Sequence, residues 1–232
     1  MQTKVKLTKY LPSSMQDAME FEKSLSKSLY LVIDTETAPR RDFVPMRTEI
    51  IELGWAFVLD GSIIEKGSSL IKPAYSIPPN VSEALGITNE MVRNSPDFLE
   101  VFTPLNKRAG DATLVGHNIK YDIGVIIEVC ERRLGQEAGS FLANLRSVGV
   151  IDTMKLFSRL FPHENGRRLK DLLKVLEIEE TEKRHRAGVD ATYTARALIK
   201  MLSILKEKGI EDADSLDHFI RTGNTFYQRP LI

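Results

Sequence analysis

Acidic side chains in three separated segments have the types and positions that phosphoester chemistry requires. The first segment, Asp34-Thr35-Glu36-Thr37, directly follows a short apolar run. Alternate residues of a strand share a face, so Asp34 and Glu36 can point into one site. Two carboxylates with hydroxyl neighbours suit a hard divalent cation, which prefers oxygen ligands. Taken alone, the same residues also fit a helix cap or a solvated turn.

The second segment, residues 116–122, reads GHNIKYD and joins a predicted strand to a predicted helix. Asp122 falls in the first turn of that helix, where a carboxylate can simply complement the helix dipole. Strand ends are also the preferred place for functional sites in α/β sheets. This segment alone leaves both interpretations open.

The third segment, residues 185–190, reads HRAGVD and enters a long C-terminal helix. Gly188 permits an unusual backbone before the helix, and Asp190 falls near the start of it. In isolation, Asp190 fits a dipole partner and His185 an exposed loop residue. Together the three segments supply carboxylates at the edges of core elements and a histidine that titrates near neutrality. Two-metal phosphodiester hydrolysis requires this combination.

Hydrophobic patterning predicts an α/β fold, a mixed sheet flanked by helices, as the scaffold that positions these segments. Strands are predicted at residues 29–33, 49–59, 62–71, 112–116 and near 148–151. Asp60-Gly61 between the second and third strands is typical of a tight hairpin. Helices are predicted at residues 97–109, with an interruption or restart at Pro104, and at 121–134, 154–160, 169–176 and 188–205. Short helices are also predicted from Thr88, around Met15, Met19 and Phe21, and in the C-terminal tail.

The three segments resemble a known set of motifs. DTET from Asp34, GHNIKYD ending at Asp122 and HRAGVD ending at Asp190 resemble the exonuclease motifs of the DEDDh branch of the DnaQ-like superfamily. That superfamily has an RNase H-like fold and includes the proofreading subunit of bacterial replicative polymerases. The match extends over roughly residues 29–205, including LGITNEMV from Leu85 and IIELGWAF from residue 50. A sister branch has tyrosine where Arg186 stands here, so the histidine branch is indicated.

The resemblance implies a 3′-to-5′ exonuclease that releases nucleoside 5′-monophosphates. Two Mg²⁺ or Mn²⁺ ions would be held by the four carboxylates, which are those of Asp34, Glu36, Asp122 and Asp190. His185 would act as general base, and Glu36 is counted with it as catalytic. The loop ahead of Gly188 would close over the substrate.

The resemblance also implies contacts with the terminal nucleotide. The residues expected to bind substrate are Thr35, Thr37, Leu85, Asn118 and Tyr121. Leu85 stands where polymerase-associated members often carry histidine, so its contact is expected to be apolar. Asn118 is expected to support its turn by hydrogen bonding. Each of these side chains also fits an ordinary packing role.

Composition sets the remaining expectations. The chain has 232 residues with 32 basic and 32 acidic side chains, so an extended duplex-binding surface is not indicated. Short basic runs at residues 184–186 and 167–170 are candidates for nucleic-acid contact, although such runs are commonly solvated faces. Cys130 is the only cysteine, which favours the cytoplasm over an oxidising compartment. Neither a leader nor a membrane span is expected.

The predicted organisation is an N-terminal extension (1–28), an exonuclease domain (29–207) and a C-terminal helical extension (208–232). The expected partner is the 3′ end of a nucleic acid, with DNA favoured and RNA possible. A DNA polymerase subunit is a second expected partner. Trimming of RNA ends and a non-catalytic role in polymerase docking are the alternatives. The second usually accompanies loss of an acidic ligand, and none is missing here.

Overall fold

The computed structural model describes residues 24–25, 28–40, 47–143, 149–182 and 185–223. The strands are β1 (Tyr30–Arg40), β2 (Arg47–Leu59), β3 (Ser62–Leu70), β4 (Thr113–Gly116) and β5 (Val150–Asp152). Within these ranges they form a five-stranded sheet in the order β3-β2-β1-β4-β5. β1, β2 and β3 pair antiparallel, whereas β4 is parallel to both β1 and β5. The sheet is therefore mixed.

Helices cover both faces of this sheet. They are α1 (Pro79–Leu85), α2 (Asn89–Val92), α3 (Phe98–Ala109), α4 (Ile119–Leu134), α5 (Ala138–Phe141), α6 (Thr153–Leu160), α7 (Leu169–Val175), α8 (Ala187–Glu207) and α9 (Ala213–Thr222). A single 3₁₀ turn, Gly135–Glu137, joins α4 to α5. The predicted α/β fold, an RNase H-like mixed sheet flanked by helices, is confirmed.

The central strand β1 is buried on both faces, as its continuous apolar run predicts. Tyr30 and Val32 pack into a core cluster with α6, α7 and α8. Leu31 and Ile33 pack into a second cluster with α3 and α4. Because successive side chains of a strand point to opposite faces, this run holds both helical layers against one strand.

Two local predictions need correction. β1 was predicted to end at Ile33, but the pairing with β2 continues to Arg40, with a register shift between Glu36 and Thr37. The acidic segment therefore lies within a strand, because the long partner strand extends the ladder. Pro104 was predicted to interrupt its helix, yet α3 runs unbroken through it. The capping box formed by Asp97 and Glu100 fixes the start of that helix.

Local signals for turns were more reliable. Asp60 and Gly61 both have positive φ, 49° and 69°, in the turn between β2 and β3, as a tight hairpin requires. Thr88 caps α2 by accepting a hydrogen bond from the backbone N–H of Met91.

The described ends of the two extensions meet each other. Ser24 forms an antiparallel bridge with Asp212, and Leu25 is buried in the same cluster as Phe219 of α9. α9 agrees with the short helix predicted in the tail. The helix predicted around Met15 lies outside the described residues, and the domain boundaries remain predictions. No helix in the described ranges has the length and apolar character that a membrane span needs.

Candidate active site

The start of α8 packs directly on the sheet, and this contact brings the third acidic segment to the first. Gly54 of β2 pairs with Asp34 of β1. A Cβ atom at Gly54 would lie 2.1 Å from the carbonyl of Ala187, so no larger residue fits there. Gly188 also lies close to the sheet, because a Cβ atom there would lie 2.7 Å from the Cβ atom of Ser68. The first turn of α8 is thereby held against β1 and β2.

Three of the predicted catalytic groups converge at this contact. Glu36, His185 and Asp190 each present a ligand atom, and these atoms lie within 4.8 Å of one another. Asp190 is buried, Glu36 is half-buried and His185 is exposed. Asp34 joins them, because it lines a cavity of about 380 Å³ together with His185 and Asp190. Residues of β1 and of the start of α8 thus share one pocket.

Asp122 is buried in the first turn of α4, and Thr35 holds it in place. The backbone N–H and the hydroxyl of Thr35 both donate to Oδ1 of Asp122, at 2.9 and 2.7 Å. Thr35 was predicted to bind substrate, which stays a prediction; its described contact positions a carboxylate. Sequence reasoning did not anticipate this role.

Crowding of carboxylates alters their proton affinity. Burial and, after it, the negative charges of Asp190, Glu52 and Asp122 together raise the pKa of Glu36 to about 7, against the influence of Arg186. Burial also raises the pKa of Asp122 to about 6, against the hydrogen bonds from Thr35. These crowded oxygen donors repel one another when they are ionised, so the donor set fits hard divalent cations.

The raised pKa values predict a pH-dependent affinity for metal. At about pH 6 Glu36 is largely protonated and Asp122 is partly protonated, and these protons must leave before a cation binds. The apparent affinity for the cation should therefore increase from about pH 6 to about pH 8. The increase should be up to about tenfold per pH unit for each proton displaced. Calorimetric titration of Mn²⁺ in buffers of different ionisation enthalpy measures both the affinity and the proton release. An affinity that does not change over this range, without proton release, would contradict the assignment.

A second buried acid, Glu52 on β2, fixes the loop that carries His185. Glu52 lies opposite Glu36 in the β1–β2 ladder. Its carboxylate accepts two hydrogen bonds from the guanidinium of Arg186, at 3.0 and 2.9 Å. It accepts a third from the backbone N–H of Ala187, at 3.1 Å. The fork raises the pKa of Arg186 and anchors the residue that follows His185.

Comparison with known proteins agrees with this geometry. The model of the family described as Exonuclease matches residues 31–198. The chain belongs to this exonuclease family. The DNA polymerase III PolC-type proteins of Bacillus cereus and Bacillus subtilis are both 33% identical to it, over 207 and 205 residues. These matches cover 89% and 88% of this chain, which spans only 14% and 13% of the length of those relatives.

Solved structures give the same fold. Exonuclease X in complex with 5′ overhanging duplex DNA is 26% identical, with a TM-score of 0.54 over 78% of this chain and 93% of that one. The nuclease domain of 3′hExo, a DEDDh family member bound to rAMP, is 14% identical, with a TM-score of 0.58 over 78% of this chain and 94% of that one. The predicted membership in this exonuclease family is confirmed by the family model and the PolC-type relatives.

The Glu52–Arg186 fork should matter for the activity of this exonuclease. Glu52→Gln removes the charge that orders Arg186, and support of a site by such neighbours typically contributes about 10- to 100-fold. We expect kcat at a saturating concentration of divalent cation to fall by about this factor, because His185 and Asp190 lose a fixed anchor. The control is Glu65→Gln, which breaks an ion pair between half-buried Glu65 of β3 and Arg108 of α3. Equal kcat for the two variants would contradict a positioning role.

The rim of the exonuclease site carries a hydroxyl pair. The Thr37 and Tyr121 hydroxyls lie 2.6 Å apart, and Tyr121 is exposed. Both residues were predicted to contact the terminal nucleotide, and the structure brings them together beside Asp122. Leu85 ends α1 and packs against a third apolar cluster that includes Ala38. It therefore makes a packing contact near the end of β1, and its contact with substrate stays a prediction.

Asn118 supports the exonuclease motif turn through its backbone. It has a positive φ of 69°, and its N–H donates to Oδ1 of Asp152 at 3.1 Å. The same Asp152 oxygen caps α6 by accepting from the N–H of Met154 at 3.0 Å. Sequence reasoning missed Asp152, although an acid directly before a predicted helix is a recognisable cap signal.

Proposed function

We propose that this chain is a divalent-metal-dependent 3′-to-5′ exonuclease that releases nucleoside 5′-monophosphates from DNA ends. The observation that carries the proposal is the convergence of the acids of β1 and α8 with His185. Asp122, on α4, completes the set through its contact with Thr35. All four carboxylates of the predicted set are present, which disfavours a purely structural docking role.

The proposed cofactor is a pair of Mg²⁺ or Mn²⁺ ions, held by Asp34, Glu36, Asp122 and Asp190. Such ions supply Lewis-acid stabilisation of phosphoryl charge and a nucleophile at neutral pH. His185 then serves as the general base, because an exposed imidazole beside the carboxylates can take a proton from the attacking water and pass it to solvent. Glu52 and Arg186 orient its loop.

DNA is the proposed substrate class, and a DNA polymerase is the proposed partner. The support comes from the PolC-type relatives, which are DNA polymerases by name, and from Exonuclease X, which was solved with duplex DNA. The chain matches only a small part of each polymerase relative, so it is proposed to supply the proofreading activity rather than synthesis. A cytoplasmic location is part of this proposal.

The test is product analysis on DNA and RNA oligonucleotides of matched sequence. Each is labelled at its 5′ end to follow shortening and incubated with Mg²⁺, with Mn²⁺ or with a chelator, and the unlabelled products are identified by chromatography. We expect a descending ladder from the 3′ end of DNA, release of mononucleotides, and no cleavage with chelator. Equal or faster degradation of RNA would replace DNA by RNA in the proposal. No mononucleotides from either strand would favour the docking role.

A further inference from the structure

A basic loop, residues 167–170, which runs into the first turn of α7, reaches the cavity that holds Asp34, His185 and Asp190. The cavity residues contributed by this loop are Arg168, Leu169 and Lys170. They share the cavity with Asp34, His185 and Asp190. Two cationic side chains therefore face the same space as the proposed metal ligands.

His117, from the second motif, holds this loop in place. Its Nε2 donates to the carbonyl oxygen of Arg167 at 2.7 Å. Its Nδ1 lies 3.1 Å from the hydroxyl oxygen of Thr153, which in turn donates to the carbonyl of Gly116 at 3.1 Å. His117 directly follows Gly116, the last residue of β4. Its half-buried ring therefore connects the basic loop to the end of that strand.

The loop is also fixed by its own contacts. Leu169 is buried in the core cluster beneath α8. Asp171 accepts from the backbone N–H of Arg168 at 3.0 Å, and a Cβ atom at Gly166 would lie 2.4 Å from Cγ of Asp171. Arg167 donates to the carbonyl of Gly166 at 2.9 Å. The backbone is therefore a rigid support for the two side chains that line the cavity.

Those two side chains can reach a ligand. Lys170 is exposed, and the side chain of Arg168 is 74% exposed. Nε of Arg168 lies 3.5 Å from Asp171, and such an exposed pair contributes little that would oppose a phosphate. The net charge of the whole chain is zero. A polyanionic strand that approaches the acidic pocket therefore depends on local cations.

We propose that Arg168 and Lys170 form a subsite for internucleotide phosphates on the 5′ side of the scissile bond. The inference rests on the proposed exonuclease function. A terminal nucleotide carries only the scissile phosphate, and every other phosphate of the strand lies on its 5′ side. Arg168 and Lys170 line the same cavity as Asp34 and Asp190 but belong to a separate segment of the chain. They are therefore placed to bind the phosphates next to the scissile one.

The test compares two substrates that share the attacked thymidine 5′-phosphate but differ in the leaving group. Thymidine 5′-(p-nitrophenyl phosphate) carries a single phosphodiester, whereas a thymidine oligonucleotide adds the phosphates on the 5′ side. For Arg168→Gln/Lys170→Gln we expect KM for the oligonucleotide to rise about tenfold or more at low salt, with kcat nearly unchanged. The slope of log KM against log salt should decrease by about 1 per cation removed. Turnover of the nitrophenyl ester should not change.

The matched control is Lys107→Gln/Lys174→Gln, which removes the same charge from exposed positions in the last turns of α3 and α7. An oligonucleotide KM and salt slope equal to those of this control would overturn the subsite. A parallel loss on the nitrophenyl ester would also overturn it, since the cations would then act at the reacting bond. If the unsubstituted protein cleaves neither substrate, the proposed exonuclease function itself fails.

Discussion

Asp34→Asn should lower kcat by about 10³-fold or more, because loss of several kcal/mol of charge stabilisation corresponds to a factor of this size. Asparagine keeps the shape of the side chain in β1 but removes the negative charge that the proposed cation requires. The affinity for Mn²⁺ should fall in parallel. Steady-state cleavage of a labelled DNA strand and calorimetric Mn²⁺ titration measure the two effects.

Asp60→Asn is the control for this variant. Asp60 is an exposed acid with positive φ in the turn between β2 and β3, where asparagine is readily accommodated. Asp60→Asn removes one negative charge, as Asp34→Asn does, but from a turn outside the site. Activity and metal affinity should therefore be unchanged. Full activity of Asp34→Asn beside a fully active control would refute the metal assignment.

Much of the fold follows from local patterns in the sequence. The apolar run of β1 predicted a strand buried on both faces, and two core clusters meet it from opposite sides. The Asp60-Gly61 turn predicted the hairpin. The length of β1 did not follow, because a strand ends where its partner stops pairing. The register between β1 and β2 depends on both segments, whereas the hydrophobic pattern of one segment describes that segment alone.

The candidate catalytic groups were predicted from three local motifs and their resemblance to the family's motifs, and the structure brings Asp34, Glu36, His185 and Asp190 together. Their supports were not predicted. Thr35 and Asp122 are 87 positions apart in the chain, and Glu52 and Arg186 are 134 apart. Each pair depends on how separate elements dock, which Gly54 decides by admitting the backbone of α8. A buried glutamate in an apolar strand was nevertheless a signal, because Glu52 needs a partner to be buried.

His185 has two possible roles that a kinetic experiment alone would not separate. It lies within ligand distance of Glu36 and Asp190, so it could bind a cation rather than take a proton. It is also exposed and has a positive φ of 66°. Asparagine adopts that backbone more readily than alanine does. His185→Asn therefore removes the base with the least disturbance of the loop.

For a general base, His185→Asn should lower kcat by about 10²- to 10⁴-fold. KM for DNA and the affinity for Mn²⁺ should stay close to those of the unsubstituted protein, because the carboxylates remain. A loss of Mn²⁺ affinity as large as that of Asp34→Asn would instead make His185 a ligand. The control is His163→Asn, because His163 is an exposed histidine in the loop after α6. A similar fall in kcat for this control would contradict a specific role for His185.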